Sequence, residues 1–168
     1  MITLNELKKF REDAKNNRKN NRDLLKKSLV DFFQTYTASL GISRQVYDIE
    51  GIEFPYVYLI DSDGSQKEID KIIIESVNKA NFQLYTVIDD NPSDIAAEKV
   101  VISVFISNNE ACYKISGLNQ QGKSFNGIRT QEQLVEISEF IKQSFLDKVA
   151  SEYEYMQDPA KDTVSLWD

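Results

Sequence analysis

Residues 100–117 read VVISVFISNNEACYKISG, and no other stretch limits the fold as strongly. Apolar and polar side chains alternate along residues 100–107, NNE supplies a tight turn, and residues 111–117 resume as the hairpin partner. A period of two means a strand with one face on a core. Ile102, Val104 and Ile106 share that face with Tyr113 and Ile115. Cys112 falls on the other side, with only Lys114 as a neighbouring base, and reads as a structural thiol.

Helical patterns flank the sheet. Thr3-Leu4-Asn5-Glu6 has capping-box spacing, and Leu4, Leu7, Phe10 and Ala14 begin an apolar stripe. The stripe resumes at Leu24, Leu25, Leu29, Phe32, Phe33, Tyr36 and Leu40 after KNNRKNNRD, which holds no apolar side chain. One helix, or two broken in the Asn-rich middle, is expected over about 4–40, with Gly41 as the residue that ends it. Thr130-Gln131-Glu132-Gln133 opens a C-terminal helix whose apolar face is Leu134, Ile137, Ile141, Phe145 and Val149. Between these, 45–50, 54–61 and 82–88 read as strands. Ser65-Gln66-Lys67-Glu68 has capping-box spacing too, so a helix is expected from Ile69 to Ala80, with a strand over 71–76 as the competing reading. NQQGKSFNG, from Asn119, reads as loop.

The resulting order, α, β, β, α, β, β, β, α, defines an α+β class: a long N-terminal helix, a mainly antiparallel sheet of about five strands, helices on one face, and a C-terminal helix. A chain of 168 residues, 41% of them hydrophobic, can bury roughly 70% of its unfolded surface without disulfides or a structural metal. We expect a single domain over 1–168: a helical N-terminal region at 4–40, an α+β core at 45–150 and an acidic aromatic tail at 151–168. The lone cysteine, the lack of an apolar leader and the lack of a membrane-length apolar run point to a cytoplasmic protein with no membrane partner.

The chain has no histidine. This removes Ser-His-Asp and Cys-His catalysis in their usual form and every histidine-containing metal site. It has six glycines, none in a phosphate-cradling run. No cofactor is expected, and the balance leans away from an enzyme.

Carboxylates are the remaining route to catalysis. YLIDSDGS, residues 58–65, runs an apolar strand into Asp61 and Asp63. It resembles the first motif of haloacid-dehalogenase phosphatases. That resemblance implies Asp61 as nucleophile, Asp63 as acid/base and a Mg²⁺ ion, with Asp89 and Asp90 of VIDD as a later acidic pair. Read from the residues alone, the same stretch is a turn, since Asp-Gly tolerates positive φ and Ser65 can cap a helix. A small carboxylate- or metal-dependent hydrolase using Asp61 and Asp63 is thus one alternative function.

Charge gives the others. Residues 1–27 hold nine Lys/Arg against four Asp/Glu, whereas residues 28–168 hold eleven against twenty-three. Lys15, Arg18, Lys19, Arg22 and Lys26 align on one face if the helix is continuous. Like charges at this spacing cost roughly 0.2–0.5 kcal/mol per pair, which an anionic partner would offset. That partner is nucleic-acid phosphate, an acidic protein, or the acidic part of a second copy in a homodimer through the N-terminal helix. The acidic remainder offers Asp48, Glu50, Glu53, Asp89 and Asp90 to a basic protein. Tyr153, Tyr155 and Trp167 are further candidate anchors. The leading expectation is a non-enzymatic binding protein, of the inhibitor, immunity or chaperone type, that covers a basic partner. Nucleic-acid binding through the basic stripe is a further alternative.

Overall fold

The computed structural model describes residues 2–157 except 43, 77 and 118–121; of residues 154–157 it describes the backbone alone. The helix expected at the N-terminus is continuous: α1 spans Leu4–Ser39 through KNNRKNNRD. Asparagine is a mediocre helix former, but no Gly or Pro interrupts the segment. The Thr3 hydroxyl accepts from the Glu6 N–H at 3.3 Å and the Glu6 carboxylate accepts from the Thr3 N–H at 2.7 Å, a reciprocal cap. Gly41, at φ 66°, ends the helix in the left-handed conformation its position requires.

Nine strands follow among the described residues, more than the five expected. β1 (Val46–Ile49) and β2 (Ile52–Pro55) form a separate two-stranded hairpin. The stretch read as one strand over 54–61 is therefore divided at Tyr56, whose N–H turns back to the Gln45 carbonyl at 3.0 Å. β3 (Val57–Asp61), β4 (Gln66–Lys67), β6 (Lys79–Asp89), β7 (Ala96–Ser107), β8 (Glu110–Ser116) and β9 (Lys123–Ile128) build the main sheet, in the order β4-β3-β6-β7-β8-β9. β5 (Ile74–Ser76) pairs the first part of β6. All pairings are antiparallel. NQQGKSFNG, read as loop, holds most of β9.

The helix expected at 69–80 does not form. Ser65 bonds to Asp63 instead of capping a helix: its N–H donates to Asp63 Oδ1 at 2.9 Å. Residues 66–67 return along β3, and only one 3₁₀ turn, Ile69–Lys71, remains. The β-branched run Ile72–Ile74 loses little by leaving a helix. Ile72 enters the core, and the Ile73 N–H donates to Asp61 Oδ2 at 2.8 Å.

The register of the β7–β8 hairpin places Ile102 opposite Ile115 and Val104 opposite Tyr113, on the face read from the alternation. That inner face also carries Leu59, Phe82, Leu84, Val100 and Phe125. The second half of α1 covers it with Leu25, Leu29, Phe32 and Tyr36. α2 (Gln131–Gln157) covers it with Leu134, Ile137, Ile141 and Phe145; Val149 stays exposed. Each such side chain contributes roughly 1.5–3 kcal/mol of burial. Tyr113 donates to the Ser28 carbonyl at 2.8 Å, and Tyr36 shares a 2.8 Å hydrogen bond with Thr86, so both phenols bring a partner into the core. Burial pushes the Tyr36 phenol up to about 12, with the Thr86 bond opposing, and pushes Tyr113 higher still. Cys112 is buried beside Phe105 on the outer face, in keeping with a structural thiol. No helix among the described residues is long and apolar enough to cross a membrane.

Candidate protein-binding surface

The β1–β2 hairpin turns at Glu50 and Gly51, both at positive φ, and Asp48 Oδ1 accepts the Gly51 N–H at 3.0 Å. Its register sets Tyr47 opposite Phe54 and Asp48 opposite Glu53. The Tyr47 ring lies 5.7 Å from Phe54 and 5.2 Å from Tyr56, centroid to centroid. Tyr56 carries the hairpin onto the sheet: its carbonyl accepts the Val87 N–H at 2.8 Å and its hydroxyl donates to Asp90. That short hydrogen bond, with Asp90's charge, holds the Tyr56 phenol above its usual range.

Asp48 and Asp90, far apart in the chain, therefore come to the same groove. A surface groove of about 410 Å³ runs between them, walled by Ile42, Arg44, Val46, Tyr47, Asp48, Tyr56 and Asp90. Ile52 and Phe54 stay 60% and 38% exposed on the hairpin. Arg44 is the one cation on the groove wall, and its guanidinium binds Glu53 at 2.7 Å. An exposed Phe54 with half-buried Tyr47 and Tyr56, on a hairpin that also exposes Asp48, Glu50 and Glu53, suits a cationic partner through charge and through ring faces. The aromatic half was missed in the sequence, although the alternation of Tyr47 and Phe54 about Glu50-Gly51 is the signal that carries it.

The other carboxylates go elsewhere. Asp61 is buried and bonded to the N–H groups of Ser62, at 2.6 Å, and Ile73, at 2.8 Å. Lys67 Nζ stands 3.9 Å away. Asp63 is exposed and held well below the usual carboxylate range by the Ser65 hydroxyl first, then by Lys67 and the Ser65 N–H. Asp61 faces Phe82 on β6, seven residues before Asp89, so the two carboxylates stand roughly 23 Å apart along the strand. The four aspartates of the hydrolase reading thus form no common site, and no acidic or cysteine cluster suited to a metal occurs among the described residues. Glu98 is buried and bound by Lys148 at 2.6 Å.

Lys15, Arg18, Lys19, Arg22 and Lys26 are all exposed along one face of α1, as helical spacing requires. Among the described residues none of the five makes an ion pair. Tyr153 lies exposed near the end of α2. The Tyr155 side chain and Trp167 fall outside the described residues. Comparison with protein families, with curated proteins and with solved structures finds no match.

Proposed function

We propose that the chain is a non-enzymatic binding protein, of the inhibitor, immunity or chaperone type, that covers a basic partner protein with its hairpin surface. The carrying observation is that Asp48 and Asp90, from separate parts of the chain, line one surface groove with Tyr47 and Tyr56, on a hairpin whose Glu50, Glu53, Ile52 and Phe54 are exposed. Carboxylates at the rim would raise the rate of encounter with a cationic protein. Tyr47, Ile52 and Phe54 would supply the apolar centre that holds it. The test is affinity capture of the tagged chain from its native lysate, beside an Asp48→Lys/Glu50→Lys/Glu53→Lys variant. A stoichiometric basic protein retained by the first and lost from the second supports the reading.

A further inference from the structure

Among the described residues, nothing covers the first five turns of α1. Leu4, Leu7 and Phe10 are 66%, 56% and 76% exposed, and burial begins only at Leu25. Leu7 and Ala14 stand five helical turns before Leu25 and Phe32 and so share the face that α1 sinks into the core, with Arg18 and Arg22 interrupting that face between them. Most helical stability in proteins comes from tertiary packing, and the four asparagines of KNNRKNNR add little propensity of their own. The arm therefore presents a face that lacks a partner among the described residues, beside Lys15, Arg18, Lys19 and Arg22, which make no ion pair among those residues.

We propose that this arm docks on a second copy of the chain, against the acidic aromatic hairpin, and that two reciprocal contacts close a dimer. The proposal rests on the binding-surface reading for the receiving hairpin, and on the arm alone for the donor. Charge complementarity selects the occupant. The arm carries an apolar stripe followed along the helix by cations, and the hairpin carries exposed Ile52 and Phe54 together with the exposed carboxylates of Asp48, Glu50 and Glu53. A chain cannot satisfy itself, because Arg18 and the hairpin lie beyond opposite ends of the packed part of α1, separated by roughly 30 Å of helix up to Ser39.

The test is the mass of the purified full chain by sedimentation equilibrium at about 50 mM and about 500 mM salt. Two variants accompany it: Lys15→Glu/Arg18→Glu/Lys19→Glu/Arg22→Glu in the arm, and Asp48→Lys/Glu50→Lys/Glu53→Lys in the hairpin. All seven positions are exposed, and circular dichroism checks that both variants fold. The expected result is a dimer at low salt, weakened about tenfold or more at high salt. Each variant alone should be monomeric, and an equimolar mixture of the two should pair again through swapped charges. A monomer at both salts overturns the proposal, as does a dimer that survives both reversals or a mass that grows past the dimer. Failure of the wider function reads out separately: the arm-reversed chain keeps its hairpin, so its capture of a basic protein from lysate does not depend on self-association.

Discussion

The Tyr56 hydroxyl donates to the Asp90 carboxylate, and with the Tyr56 carbonyl, which accepts the Val87 N–H at 2.8 Å, this bond ties the β1–β2 hairpin to the end of β6. The hairpin belongs to no larger sheet, so few other contacts fix its angle. Tyr56→Phe should leave the urea midpoint unchanged, because the bond is exposed, and should weaken partner capture by loosening the groove. Parallel unfolding and capture experiments check both halves. A Tyr56→Phe chain that captures its partner undiminished would show that the bond does not position the surface.

Asp61 is a structural carboxylate. Asp61→Ala leaves the Ile73 N–H without its acceptor, and we expect a loss of about 1–3 kcal/mol in chemical unfolding. Capture should be unaffected, since the residue is distant from the hairpin. Lost capture at full stability would return Asp61 to the functional candidates.

Tyr36 and Tyr113 set an alkaline limit. Their folded phenols titrate above the unfolded value of about 10, so the folded state holds protons that the unfolded state has released. Their contribution is complete below about pH 10 and is lost as pH rises toward 12, at a slope of up to about 1.4 kcal/mol per pH unit for each group. Urea midpoints should be level from about pH 7 to 9.5 and fall steeply beyond. Tyrosinate absorbance should stay short by two residues until the chain unfolds. A full tyrosine titration with the fold intact would contradict this.

The two halves of α1 should respond differently to truncation. Leu7→Ala and Phe10→Ala remove exposed side chains and should change monomer stability by no more than about 0.5 kcal/mol. Phe32→Ala empties a fully buried site and should cost about 3–5 kcal/mol. Dilute, high-salt urea titrations measure both. Destabilisation by Phe10→Ala under those conditions would mean the arm packs on its own chain.

Elements with strict periodicity were legible in the sequence. The β7–β8 hairpin has the predicted face because one side must meet a core, and the two reciprocal caps at Thr3 and Thr130 start their helices where the spacing places them. Over 65–76 the helix does not form and the competing strand is realised in part as β5, because Ser65-Gln66-Lys67-Glu68 matches a cap only locally while a tertiary partner, the buried Asp61 carboxylate, claims the Ile73 N–H. β9 was missed because Asn, Gln and Gly mask a short edge strand. In the candidate site the carboxylates could be named singly. Their meeting could not, because Tyr56 joins residues 34 apart in sequence, and periodicity does not report such a contact.

The most direct measurement of the central claim is the affinity of the captured basic partner for the purified chain, titrated calorimetrically against the Asp48→Lys/Glu50→Lys/Glu53→Lys variant. Saturable one-to-one binding is expected, weakening with salt and falling about a hundredfold or more on reversal. Equal affinity for both chains would contradict it and move the binding surface off the hairpin.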